Sequence, residues 1–265
     1  MIPVPGPSWL RDVPLAHRGL HAPGGPPENT LAAFAAARAA GFGVELDGRR
    51  AADGVPVVVH DADLVRGAGR PDRVERTTAA ELAAARLAGA DEGVPTLAAV
   101  LAALPDVPVM VELKHDAVRL GGLEAAVAPL VVRHRGPVCV ASFHPGAVAW
   151  FRRHAPGVVR VLTLTHAPER GLPRWVARLL AERAVVRAVA PHALSHDVRG
   201  LPASVTAAGR AAGGPVYAWT VRDAAGLATA RAHADAPIFE GLGPAGPAGP
   251  TGRADAAGPT GRTGP

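Results

Sequence analysis

Short apolar runs of strand length recur along the 265 residues, and between them lie segments whose apolar side chains follow helical spacing. This alternation constrains the chain more than any other feature. Strands separated by helices pair in parallel, and a parallel sheet must be covered by those helices. The runs are Val13–Ala16, Phe42–Leu46, Val55–Val59, Val107–Leu113, Pro137–Ala141, Val158–Leu164, Arg187–Ala190, Val216–Thr220 and Pro237–Phe239. Local signals mark the helices. Asn29 or Thr30 precedes Leu31–Ala40, Thr78 with Glu81 forms a capping box, Thr96 opens a helix ending at Leu104, and Asp223 caps a helix to His233. Further helices are expected over Glu124–His134, Gly146–His154, Pro168–Arg183 and Pro202–Ala212. The unbroken rhythm predicts one α/β domain over residues 1–242. From Gly243 glycine recurs at about every third position, and residues 243–265 are expected to form a disordered tail.

The stretch Glu45 to Asp61 carries the first chemistry. Glu45 and Asp47 are two apart, so in a strand they share a face while Leu46 takes the other. Neighbouring carboxylates repel unless a cation lies between them, so the pair reads as half of a divalent-metal site. The following run brings His60 to the same rim. Taken in order, the tips of the first four runs present His17 with Arg18, Glu45 with Asp47, His60, and Glu112 with Lys114. Barrel enzymes keep their chemistry at the C-terminal ends of strands. Three carboxylates, Glu45, Asp47 and Glu112, form an oxygen-rich cage suited to Ca²⁺ or Mg²⁺. His17 and His60 can serve as general acid and base near neutral pH. Arg18 and Lys114 supply positive charge for an anionic substrate. Lys114 is the one lysine in a chain that otherwise uses arginine, which suggests a task for a compact ammonium. A cation, two imidazoles and two fixed positive charges describe a site for a phosphodiester.

Composition narrows the remaining classes. The net charge of +5 comes from arginines spread through helices and loops, and aromatic residues make up 4%, so stacking platforms for single-stranded nucleic acid are missing. A basic surface still attracts small anions and is compatible with peripheral contact on anionic membranes. Cys139 is the sole cysteine, which excludes an internal disulfide. No charged and apolar leader or run of spanning length is evident, and the expected address is the cytoplasm.

The ordered markers His17-Arg18-Gly19, Pro27-Glu28-Asn29-Thr30, Ala33-Phe34, Glu45-Leu46-Asp47, Asp53-Gly54, Val58-Val59-His60-Asp61, Glu112-Leu113-Lys114, Ser142-Phe143 and Trp219-Thr220-Val221 resemble the glycerophosphodiester phosphodiesterase family. The resemblance implies a TIM-type (β/α)8 barrel that releases an alcohol and glycerol 3-phosphate from small-molecule glycerophosphodiesters. It implies Glu45, Asp47 and Glu112 as ligands of Ca²⁺ or Mg²⁺ and His17 and His60 as the proton-transferring pair. Arg18 and Lys114 would hold phosphate, Glu28 would sit in or just behind the ligand shell, and Phe143 and Trp219 would line the pocket. Within such a barrel the link between the second and third runs is too short for a crossover helix, and nine runs exceed eight places. Gly48, Ala51, Arg222 and the ending Ile238-Phe239-Glu240-Gly241 depart from the family pattern. A lysophospholipase D-like lipid phosphodiesterase and a catalytically silent barrel that binds phosphorylated ligands are the competing readings.

Overall fold

The computed structural model describes residues 6–115, 120–166, 183–243 and 246–247. Nine strands form one sheet: β1 (Leu15–His17), β2 (Gly43–Arg50), β3 (Pro56–Val58), β4 (Val109–Leu113), β5 (Val138–Ser142), β6 (Val159–Leu164), β7 (Ala193–Asp197), β8 (Val216–Val221) and β9 (Ala236–Phe239). Eight of them pair in parallel, and the β1–β2 pairing closes the ring β1-β9-β8-β7-β6-β5-β4-β2. Helices between the strands cover the outside, so the architecture is the TIM-type barrel expected.

The surplus strand is β3. It runs antiparallel to the far end of β2, with Gly48 opposite Val58 and Arg50 opposite Pro56. A link of five residues, Ala51 to Val55, permits a hairpin and forbids a crossover, which is the physical reason for the irregularity. β3 is therefore no barrel stave. It turns the chain back so that Val59 N–H donates to the Asp47 carbonyl at 2.9 Å, and His60 follows at once.

The seventh strand corrects the sequence expectation. Residues Arg183–Val189 are helical, and β7 begins at Ala193. Val186 and Val189, three apart, bury one helix face against the outer core. Residues Ala193 to Asp197 look too polar for a strand, yet all five are buried. His192 consequently lies before β7 rather than at its tip. Its Nδ1 accepts from the Arg160 backbone N–H at 3.0 Å, a structural duty.

Side-chain alternation divides the protein into three cores. Leu15, Met110, Cys139, Ala141, Val161, Ala193, Tyr217, Ala236 and Ile238 fill the barrel interior. Val44, Leu46, Val109, Val111, Phe34 and Phe151 belong to the layer between strands and helices. A separate small core, including Val57, Leu64, Val74, Leu82, Leu87 and Val94, lies under the excursion between β2 and β4. Capping threonines start the helices as the sequence suggests. Thr30 Oγ1 accepts from Ala33 N–H at 3.1 Å, Thr96 Oγ1 accepts from Ala99 N–H at 3.2 Å, and Thr78 with Glu81 completes a capping box. Among the described residues no helix is long and apolar enough to cross a membrane. The expectations for Trp175, for most of the helix over 168–183 and for nearly all of the tail fall outside the described residues.

Candidate active site

The inward-facing set that fills the barrel continues upward to become the site. Two residues beyond Leu15 on the same face stands His17, beyond Met110 stands Glu112 and then Lys114, and beyond Tyr217 stands Trp219. The parallel register supplies the lateral order. His17 pairs with Glu45, and Asp47 pairs with Glu112. Residues far apart in the chain thus converge because period-two strands are held in fixed register.

Glu45, Asp47 and Glu112 are all buried, and each offers one oxygen within 4.8 Å of the other two. No hydrogen bond reaches Glu45 Oε1, Asp47 Oδ1 or Glu112 Oε1. Lys114 Nζ lies 3.1 Å from Asp47 Oδ1 and in close contact with Glu112 Oε1, while Arg18 Nε is 3.2 Å from Asp47 Oδ2. Two cations therefore face three carboxylates. Burial, with Asp47 and Glu112 nearby, pushes the Glu45 carboxyl well above its ordinary range. Burial acts the same way on Asp47, but Lys114 and Arg18 outweigh it and hold that carboxyl far below. Burial opposes the charge on Lys114 too, yet Asp47 and Glu112 raise its pKa. Three unpartnered buried oxygens with an excess of negative charge fit a hard divalent cation in size and donor type.

Both imidazoles are held from behind by a carboxylate. His17 Nδ1 is 2.5 Å from Glu240 Oε2, and its Nε2 lies 3.8 Å from Glu45 Oε2. His60 Nδ1 is 2.7 Å from Asp61 Oδ1. A network runs on from there. Arg66 joins Asp61 Oδ2 at 2.6 Å to Glu28 Oε1 at 2.7 Å, and Glu28 accepts from Arg18 Nη1 at 3.0 Å. Arg222 contacts the second oxygen of Glu240. Burial would raise the Glu240 carboxyl, but His17 and Arg222 bring it down to about 2. Burial lowers the His60 imidazole, Asp47 opposes that shift, and Lys114 and Arg18 add to it.

The loop after β1 is shaped by local backbone geometry. Arg18 and Asn29 adopt left-handed φ values of 57° and 58°. The turn at Arg18 directs its backbone N–H to Glu45 Oε2 at 3.2 Å. Asn29 Nδ2 donates to Asp47 Oδ2 at 2.8 Å, and Asn29 Oδ1 accepts from the Asp47 N–H. Gly19, at φ 82°, has no room for a Cβ, which would lie 2.9 Å from the Ala33 carbonyl carbon. Across the mouth Phe143 and Trp219 meet edge to face, with centroids 5.3 Å apart, and Lys114 Nζ lies 5.9 Å from the Phe143 centroid. Trp219 Nε1 is buried without a partner.

All ten residues singled out from the sequence stand at this mouth or border it. His115 turns away, as its position next to Lys114 implies, and bonds Glu124 at 2.9 Å. Sequence reasoning missed Glu240, Arg66 and the supporting roles of Asn29 and Asp61. Glu240 had a usable signal, being two residues beyond the inward-facing Ile238.

A closed parallel barrel with an acidic, cation-suited triad at the C-terminal mouth, flanked by carboxylate-held imidazoles, defines a TIM-barrel hydrolase. The chain belongs to the glycerophosphoryl diester phosphodiesterase family, whose model matches residues 17–240. It is 32% identical over 226 residues to the probable glycerophosphodiester phosphodiesterase 2 of Mycobacterium tuberculosis, covering 79% of each chain. Among solved structures it resembles an Oleispira antarctica phosphodiesterase in complex with the product sn-glycerol-3-phosphate, at TM-score 0.71 and 25% identity, covering 86% of this chain and 92% of the other. The glycerophosphodiester phosphodiesterase of Thermotoga maritima is similar at TM-score 0.70 and 26% identity, with 86% and 93% covered.

Proposed function

We propose that this protein hydrolyses glycerophosphodiesters to an alcohol and glycerol 3-phosphate, with Mg²⁺ or Ca²⁺ at Glu45, Asp47 and Glu112 and with His17 and His60 as the acid and base pair. The observation that carries this reading is the convergence of three unpartnered carboxylate oxygens beside two imidazoles. The family and the glycerol 3-phosphate held by the Oleispira relative support the substrate class.

A divalent cation bound there would polarise phosphoryl oxygens and offset their charge. The chain's own groups do the rest. Arg18 and Lys114 border the triad, so negative charge developing on the phosphoryl oxygens meets a guanidinium fork and a compact ammonium. Glu28 fixes the Arg18 side chain from behind. With Nδ1 bound to a carboxylate, each neutral imidazole keeps its proton on that nitrogen and leaves the Nε2 lone pair for the reaction. One ring takes a proton from the nucleophile, either water or the adjacent glycerol hydroxyl, while the other gives one to the departing alkoxide. Phe143 and Trp219 border the organic part of the substrate, and the Trp219 indole N–H offers a hydroxyl a partner.

The test is release of glycerol 3-phosphate from glycerophosphoethanolamine before chelation, after chelation, and after Mg²⁺ or Ca²⁺ is restored. His17→Ala and His60→Ala should each lower kcat about 10²- to 10⁴-fold without loss of far-UV dichroism. Near-normal turnover in either variant removes the acid and base assignment. Binding of the diester without product returns the silent barrel, and a preference for lysolipids returns the lipid phosphodiesterase.

A further inference from the structure

Beside the triad, a cavity of about 210 Å³ opens between residues 27–29 and the excursion that follows β2. Val59, Leu64, Leu87 and Val94 give it apolar walls, and His60 is part of its lining. The cavity is thus continuous with the mouth on the side opposite the Phe143 and Trp219 pair. Its size is below the roughly 300–1,000 Å³ of pockets for drug-sized ligands, so it suits an occupant of few heavy atoms.

Charge is distributed unevenly across this region. Glu28, Asp61 and Asp63 line the cavity against a single guanidinium, Arg66. That guanidinium is already divided between Glu28 and Asp61, and among the described residues no cation pairs with Asp63. On the triad side the sign reverses, because Arg18 and Lys114 stand there. A ligand with phosphate at one end and an ammonium a few bonds away would match both regions, and alkyl carbons between them would meet the valine and leucine walls.

We propose that this cavity receives the alcohol portion of the diester and selects small alcohols that carry an ammonium group, with Asp63 as the residue that sets the preference. This inference rests on the phosphodiesterase reading above. It specifies which head groups that site accepts.

The experiment compares kcat/KM for esters of glycerol 3-phosphate with ethanolamine, choline, glycerol, serine and methanol, using the full chain supplied with Mg²⁺ or Ca²⁺. The ethanolamine and choline esters should exceed the glycerol and serine esters by about tenfold, the equivalent of a single favourable charge contact of about 1.4 kcal/mol. Asp63→Asn keeps an acceptor for the Val65 N–H that Asp63 Oδ1 now binds at 3.1 Å, and it should shrink the ammonium preference several-fold. Ala88→Trp, at an exposed position on the cavity lining, should lower turnover of the larger head groups relative to the methyl ester. Glu75→Gln, in the same excursion but outside the lining, should leave the head-group ranking as it is. Equal kcat/KM across head-group charge, or a preference that survives Asp63→Asn intact, overturns the proposal while the phosphodiesterase reading stands. Failure to cleave any ester, the methyl one included, overturns that reading and this one together.

Discussion

His17 Nδ1 and Glu240 Oε2 lie 2.5 Å apart although 223 positions separate them in the chain. Strands β1 and β9 are neighbours in the closed ring, and Glu240 follows β9 directly. Closure of the barrel therefore fixes the orientation of the first imidazole. Arg222, at the end of β8, holds the other oxygen of the same carboxylate. Glu240→Gln keeps the size of the side chain but loses the charge that stabilises an imidazolium. The expected result is a fall in kcat of about 10²-fold with KM little changed, measured by steady-state release of glycerol 3-phosphate. A change in KM alone would show that Glu240 serves binding instead.

Occupation of the acidic triad should be visible without any assay of turnover. A cation that binds the folded chain stabilises it by about 2.7 kcal/mol at a hundred times its dissociation constant. Thermal unfolding should therefore move upward with added Mg²⁺ or Ca²⁺, and Asp47→Asn should abolish the concentration dependence. An identical shift in wild type and variant would place the cation elsewhere.

The bottom of the barrel supplies a pH effect independent of catalysis. Burial, with Arg160 nearby, pushes the His192 imidazole down to about 4 from an ordinary value of 6.5. A group depressed by folding contributes stability above its unfolded pKa and loses it as pH falls through the folded value. The melting temperature should thus decline between about pH 6.5 and 4. His192→Asn, which retains an acceptor for the Arg160 N–H, should flatten that decline. A parallel pH dependence in the variant would exclude His192 as its source.

Tyr217 is fully buried in the barrel interior, and its hydroxyl finds no partner. An unsatisfied buried hydroxyl costs about 1–3 kcal/mol. Tyr217→Phe should therefore leave stability unchanged or raise it, as read from denaturant midpoints. A loss of more than about 1 kcal/mol would mean that the hydroxyl has a partner such as ordered water.

How much of this was legible in the sequence depended on whether the deciding contact was local. Period-two alternation placed Glu45 and Asp47 on one face, and threonine caps marked helix starts, because both depend on neighbouring residues. The strand Ala193–Asp197 was not legible. Its Ser, His and Asp read as a loop, and only the surrounding barrel buries them. The reversed direction of β3 is implied by the short link before it, but its pairing with β2 is a tertiary fact. Arg66 was invisible for the same reason: its partner Glu28 lies 38 positions away, and no strand or helix period connects them.

The hairpin return at β3 has a consequence for how this protein can change. His60 and Asp61 ride on a folded-back ribbon with its own apolar nucleus, whereas the acids and His17 are mounted on staves or directly beyond them. Selection, or an engineer, can remodel residues 51–95 as a detachable module and alter which esters are welcomed, leaving the ring that grips the cation untouched.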